Sequence, residues 1–377
     1  MGVNDMLLQG ITIIDLSNLL PGPFCSLFLA DLGADVLKVE SLNGDPMRGF
    51  EAQQNTPSPY FLALNRNKKS IALDLKKNEG KKIFLKIVKN ADVVIEGFRP
   101  GKTDSLGIGY DDVKKINPKI IYCSITGYGQ KGPYKNKAGH DLNYNSLSGV
   151  LETISKKPFV SGVQIADVGS GLIAAFSIVS ALLYRKNSNK GCHIDIPILD
   201  GALSLIGMHV AYGSLSPNQQ TVLSGSEPCY NVYETKDGKF VGLGAIESKF
   251  WEAFCNVVKR KDLIKRQFDQ GILREIHSLF KAKTLKEWLQ LNDKYDFCCE
   301  PVKKIEDILK EDYFKNRKML IDLDGVAQVG MPAIFSAFKK YKYSKSPRLG
   351  QDTRNILKSF GYDETNIKKL KMDNVII

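Results

Sequence analysis

An alternation that runs through the first two hundred residues constrains this chain most. The stretches "ITIIDL" (11–16), "DVLKVE" (35–40), "DVVIEG" (92–97), "IIYCSIT" (120–126) and "HIDIPI" (193–198) are apolar, β-rich runs of strand length. Amphipathic segments near 24–33, 79–90 and 168–186 separate them. Strands alternating with helices imply a largely parallel, Rossmann-like sheet with helices on its faces, an α/β architecture. After Gly225 the pattern changes. "CYNVYETKDGKFVGLGAI" reads as two strands joined through Lys236-Asp237-Gly238-Lys239, with Asp-Gly supplying a tight hairpin turn, and a mostly helical stretch follows. At 377 residues the chain exceeds the usual size of one hydrophobic core. We therefore expect a large α/β domain over 1–200, a smaller α+β domain over 226–330, and a Lys-rich segment over 331–377 that returns to the large domain.

Composition narrows the classes of function. The net charge of +12 could suit nucleic acid, yet the basic residues lie in patches such as "NRNKKS" and no zinc finger or RNP-type motif accompanies them. A solvated basic surface that suits an anionic metabolite is the better reading. Seven cysteines, an odd number without paired CxxC spacing, suit a reducing compartment and argue against structural zinc. No run reaches the apolar length of a spanning helix and the N-terminus lacks a signal-peptide pattern, so no membrane insertion is expected. The terminal "NVII" is not a peroxisomal signal, and a cytoplasmic location is expected.

Two glycine motifs invite phosphate-binding readings. In "ITGYGQKGPYKNKAGHDLNY" (125–144), Gly127, Gly129 and Gly132 spell GxGxxG, but polar "YKNKAGH" follows where a helix should open, and the strand is not the first. In "GFRPGKT" (97–103) only three residues separate the glycines, one of them Pro100, so a P-loop nest has the wrong length. There is no HExxH helix and no GxSxG elbow. Of the four histidines, His193 sits in a β-rich run and His209 and His277 in helical patterns. His140 follows a long glycine-rich loop after a strand end, where α/β proteins build sites; residue type alone leaves it open between catalytic and structural roles.

The stretches "DLSNLLPGPFCSLFLADLGADVLKVE", "EGFRPGKTDSLGIGY", "ITGYGQKGPYKNKAGHDLNY", "ADVGSG" and "GAIESKFW" together resemble CoA-transferase family III, and within it the α-methylacyl-CoA racemase branch. The resemblance spans nearly the whole chain in order. It implies inversion of the carbon next to a thioester, which requires one group to remove a proton and another to return one on the opposite face. His140 and Asp167 match the branch's two acid/base residues, and Glu247 matches a carboxylate beside the histidine that orients its ring. The backbone amide of Asp141 matches a donor to the enolate oxygen. The Asp141 carboxylate is left between ordering the loop and a plain N-cap or Asx-turn role. Tyr144 is expected at the thioester end of the pocket.

Coenzyme A enters as part of the substrate, with no separate cofactor or metal. Lys76, Gly97, Phe98 and Arg99 match positions that contact it. Two basic contacts common in the family are Ser41 and Ser105 here, with Lys102, Arg66 and Lys68 as nearby candidates to replace them. The rival within the family is a CoA transferase that uses Asp167 as acyl-accepting nucleophile. His140 with Glu247 favours the racemase; an acyl-CoA binding protein without catalysis is the rival of another class. Members form interlocked homodimers, so the resemblance implies a homodimer, with Glu247 drawn from either chain. Fatty, bile-acid-like and short methyl-branched acyl-CoA esters all fit the chemistry, which points broadly to lipid metabolism.

Overall fold

The computed structural model describes residues 6–52, 57–154, 157–217, 221–337 and 341–377. Residues 338–340 of the Lys-rich segment lie outside them. The chain divides into two compact units, one formed by Met1–Ser148, Ser161–Leu205 and Tyr313–Ile377, the other by Gly149–Val160 and Ile206–Asp312.

The first unit is built on six strands: β1 (Thr12–Asp15), β2 (Asp35–Glu40), β3 (Lys68–Ala72), β4 (Val93–Glu96), β5 (Ile121–Thr126) and β6 (Cys192–Pro197). They lie in the order β3-β2-β1-β4-β5-β6, and every pairing is parallel. The helices that position the site are α1 (Pro21–Asp31), α2 (Asn78–Val88), α3 (Asp141–Leu147), α4 (Ile165–Ser188) and α5 (Ile198–Leu205). Residues of β1, β4 and β5 such as Ile14, Val94 and Tyr122 are buried, as both faces of a parallel sheet should be once helices cover them.

Five strands match the sequence runs, and β3 does not appear among those runs. Its letters "KKSIA" look like a surface patch, and the structure corrects that reading. Lys68 is 5 % exposed and pairs with Asp15 at 3.3 Å, while Arg66 is 3 % exposed and pairs with Asp31 at 2.6 Å. Lys38 is buried too. Its Nζ lies 2.9 Å from Asp45 Oδ2 and donates to the Ser17 carbonyl at 2.8 Å. Burial alone would raise the Asp15 carboxyl, but Lys38 and Lys68 hold it below the ordinary range. The same burial pushes Lys68 down to about 8. Buried ions persist only when paired in this way.

The expectation that no run reaches the apolar length of a spanning helix is corrected by α4. It is 24 residues long, includes an 18-residue stretch with a mean hydropathy of 1.8, and is the one single helix among the described residues long and apolar enough to cross a membrane. Its inner face carries Gly169, Ser170, Gly171, Ala174 and Ile178, which are buried. Cβ atoms added at Gly171 and Gly169 would lie 2.8 Å from the Pro21 carbonyl oxygen and 2.7 Å from Leu205 Cδ1. Small residues thus let α4 press on α1 and α5, the place of a core helix.

The second unit holds β7 (Tyr230–Glu234), β8 (Phe240–Gly244) and β9 (Cys299–Pro301), an antiparallel sheet, with α6 (Ser248–Val257), α7 (Leu273–Lys281) and α8 (Leu285–Tyr295). The hairpin turns through Gly238 at φ 68°, a conformation that costs glycine nothing sterically. Aromatic side chains fill its core. Phe280 stacks on Tyr233 at 4.5 Å and meets Trp288 at 4.6 Å, and the indole N–H groups of Trp251 and Trp288 donate to the Leu263 and Phe280 carbonyls. In the Tyr313–Ile377 segment, β10 (Leu320–Leu323) and β11 (Val326–Val329) pair, and α9 (Thr353–Ser359) and α10 (Glu364–Met372) add Leu357, Ile367 and Leu370 to the core of the first unit.

Candidate active site

The strand order of the first unit reverses between β1 and β4, and in open α/β sheets a ligand crevice forms beyond the carboxyl ends at such a reversal. A cavity of about 470 Å³ lies there. It is lined by Ser17 and Leu19 after β1, by Gly97, Phe98 and Arg99 after β4, and by Tyr128 after β5. His140, Tyr144 and Asp167 complete it. The first strand-to-helix turn, where a dinucleotide fingerprint belongs, reads "SNLL" and carries no glycine.

The GxGxxG glycines have local causes. A Cβ at Gly127 would lie 2.4 Å from the Tyr144 hydroxyl, while Gly129 and Gly132 turn the chain at φ 82° and 96°. No helix follows them until α3. The loop instead delivers His140, the N-cap of α3, whose N–H donates to Asn143 Oδ1 at 3.0 Å. Tyr144 donates to the Gly139 carbonyl at 2.8 Å, and a Cβ at Gly139 would sit 2.7 Å from its ring. The backbone of His140 is therefore fixed from both sides. Its ring lines the cavity.

Asp167 stands in the first turn of α4. The Asp141 carboxylate ties the two catalytic candidates together: one oxygen accepts the Asp167 N–H at 3.1 Å and the other accepts from Asn145 at 2.6 Å. It thus caps α4 from the first residue of α3, a helix-capping role played across two elements. Burial, and then the nearby Asp141 carboxylate, push Asp167 up to about 7. Burial raises Asp141 as well, against the hydrogen bonds it accepts. The N–H of Asp141, first in α3, has no intrahelical acceptor and no hydrogen-bond acceptor among the described residues, and can serve a ligand. A base near neutrality on one element and an imidazole on another, with an open N–H between, can move protons on and off a carbon held in the cavity.

The remaining predicted residues separate. Gly97, Phe98 and Arg99 line the cavity, whereas Lys76 is exposed on the turn before α2 and does not. Ser41 and Ser105 are exposed, and their hydroxyls donate to the nearby carbonyls of Gly44 and Lys102. Arg66 and Lys68 are buried in ion pairs, so they replace no missing arginine; Lys102 is exposed but does not line the cavity. Glu247 belongs to the second unit, where it is the exposed N-cap of α6 and its carboxylate makes no hydrogen bond or ion pair among the described residues.

Sequence reasoning missed four contributors. Lys135 and Lys137 line the cavity on the loop before His140. Leu19 lines it at φ 64°, a strained conformation for leucine, held by its N–H donating to the buried Asp45 at 3.1 Å. Glu96 is 2 % exposed, accepts the Phe98 N–H at 2.8 Å, and is pushed by burial up to about 7. An acid closing an otherwise apolar parallel strand was the available signal for Glu96.

Known proteins share this chain's sequence and fold. The chain is 33 % identical to succinyl-CoA:glutarate CoA-transferase of Mus musculus, an alignment covering 98 % of this chain and 90 % of that protein. It is also 33 % identical to alpha-methylacyl-CoA racemase of Homo sapiens, covering 98 % of each. A crystal structure of a CAIB/BAIF family protein from Brucella suis superposes with a TM-score of 0.84 at 29 % identity, covering 95 % of this chain and all of that one. CoA-transferase family III matches residues 8–353, and the chain belongs to that family.

Proposed function

We propose that the protein is an acyl-CoA racemase or epimerase that inverts the α-carbon of a 2-methyl-branched acyl-CoA. The observation that carries this reading is the meeting of His140 and Asp167 in one cavity from separate helices, tied through Asp141. One of the pair removes the α-proton, the thioester becomes an enolate, and the other returns a proton to the opposite face. The Asp141 N–H donates to the enolate oxygen. A carboxyl near 7 suits this shuttle, since acid and base forms are both accessible at neutral pH. Arg99 faces the anionic coenzyme, which arrives as part of the substrate, with no separate cofactor or metal. Glu247 orients the protonated histidine.

The same reading takes a cytoplasmic homodimer as the working form. Supporting a second copy is an exposed apolar stripe along α4, comprising Leu172, Phe176, Val179 and Leu183, at helical spacing. The alternative is a CoA transferase in which Asp167 attacks the thioester, forms a mixed anhydride and releases CoA thiolate. It is favoured by the transferases among the relatives and disfavoured by the raised Asp167, because attack needs the ionised form. Incubation of an enantiopure 2-methylacyl-CoA in deuterated water decides between them. Exchange at the α-carbon with loss of optical purity and no acceptor acid is the expected result. Exchange-free transfer of CoA to an added carboxylic acid, with hydroxylamine trapping at Asp167, would replace it with the transferase.

A further inference from the structure

Glu96 ends β4, and its polar partners lie on one face of the sheet. In the parallel register Glu96 pairs with Ser124 of β5, and Ser124 with Asp195 of β6. His193 stands two residues before Asp195 and shares that face, because side chains alternate along a strand. The three groups form a row: the Ser124 hydroxyl bonds the Glu96 carboxyl, and Ser124 Oγ lies 2.9 Å from His193 Nε2. Glu96 and Ser124 are buried, whereas His193 is exposed and stacks on Tyr110 at 5.0 Å. At its inner end the row reaches the main cavity. Glu96 accepts the N–H of Phe98, which lines that cavity together with Gly97 and Arg99.

We infer that Glu96 is a positioning residue for the turn that receives the coenzyme, and that Ser124 and His193 pass its proton between the sheet and solvent, so that coenzyme binding tightens when Glu96 ionises. The inference rests on the reading that a CoA ester enters the main cavity, and on no step of racemisation. Glu96 has no ion-pair partner among the described residues, so hydrogen bonds alone support its charge. The Phe98 N–H is held more strongly by a carboxylate than by a neutral acid, and Arg99 follows it in the same turn. The row gives a buried carboxyl its route to water. Glu96 gives its proton to Ser124 Oγ, Ser124 gives its own to Nε2 of the neutral ring, and the exposed imidazolium loses its Nδ1 proton to water. The ring then donates to Ser124 and Ser124 to the carboxylate, so each donor supports the ionised form. Burial pushes Glu96 up to about 7, the bonds from Ser124 and Phe98 oppose it, and the charges of Asp104 and Asp195 add to it. Tyr122, on the same face, is raised by burial and stays neutral. Burial lowers His193 against the pull of Asp195, Asp111 and Asp104, so Glu96 takes its proton first as pH falls.

The test measures the affinity of the full chain for coenzyme A itself by titration calorimetry between pH 5.5 and 8.5, in the wild type, Glu96→Gln and His193→Phe. Glutamine keeps an acceptor for Phe98 and a donor for Ser124 but carries no charge. The wild type is expected to bind roughly three- to tenfold more tightly than Glu96→Gln above pH 7, the scale of one hydrogen bond, and equally below about pH 6. Taking the ratio at each pH removes the titration of Asp167 and of the ligand's phosphates, which both proteins share. His193→Phe keeps the stack on Tyr110 and takes a donor from the row, so the midpoint of the wild-type dependence should rise by roughly half a pH unit or more. A ratio that ignores pH overturns the inference, and so does an unmoved midpoint in His193→Phe, which decides alone should Glu96→Gln fail to fold. A chain that binds coenzyme A at no pH removes the reading of the main cavity and the inference with it, whereas binding with a pH-blind ratio removes the inference alone.

Discussion

At Asp167, burial and the neighbouring Asp141 lift a carboxyl from its ordinary 3.8 to about 7. Unfolding releases it, so between roughly pH 4 and 7 the folded chain holds a proton that the unfolded chain has lost. Stability contributed by this site therefore falls as pH rises through that window and stays low above it. Asp167→Asn cannot ionise. Its melting temperature should exceed that of the wild type by a margin that grows from pH 4 to 7 and then levels, while activity is lost. A margin that ignores pH would remove the charge from the argument. Asp141→Asn tests the other half, since the amide oxygen can still cap α4 but carries no charge. The arm of the rate profile that follows Asp167 should move to lower pH, because the like charge that raised it is gone. His140 and Asp167 were legible because their flanking letters match a family. Lys137 was not, because a lysine in a polar loop looks the same whether it borders a cleft or open water.

Elements place these residues, and their sequence signals are uneven. Five strands of the large sheet were evident from period and β-branching, whereas β3 was hidden because "KKSIA" offers two lysines before its apolar pair. Charge normally marks a surface. Here Lys38 and Lys68 turn inward because Asp15 and Asp45 wait for them, a pairing that no local pattern reveals. That network also holds the loop after β1: Lys38 grips the Ser17 carbonyl and Asp45 the Leu19 N–H. Lys38→Met should destabilise the chain by about 3–5 kcal/mol in a denaturant titration, the usual result of leaving a buried charge alone. An effect below about 1 kcal/mol, the scale of an exposed pair, would mean that water reaches Asp45. The loop before α3 should be equally intolerant. Gly139→Ala would drive a methyl group toward the Tyr144 ring and displace His140. At least roughly a hundredfold loss of turnover is expected, since an ångström of misplacement is enough for that. Turnover near normal would show that the loop shifts without moving the ring.

For the whole molecule, the proposed role of Glu247 makes a prediction that a homodimer would test. The carboxylate is exposed at the start of α6 in the second unit, with no partner of its own among the described residues. An orienting carboxylate acts most strongly as imidazolium forms, so Glu247→Gln should lower kcat by roughly tenfold or more with little change in KM. In a homodimer the carboxylate comes either from the same chain as His140 or from the second copy. Mixed dimers separate the two. If one chain carries His140→Ala and the other Glu247→Gln, neither homodimer is fully active. Sharing between chains would rebuild one intact site, because the chain with a normal histidine meets the normal glutamate of the other. The mixed dimer should then recover about half of wild-type kcat, following from one working site in two. If each chain serves itself, the surviving histidine lies beside glutamine, and the mixed dimer stays near half the activity of the Glu247→Gln homodimer. The apolar stripe on α4 favours an intimate dimer, and Phe176→Glu in that stripe should shift sedimentation toward monomer. Recovery to half of wild type would assign the site to two chains. Its absence in a mixed dimer shown to be intact would place His140, Asp167 and Glu247 in a single one.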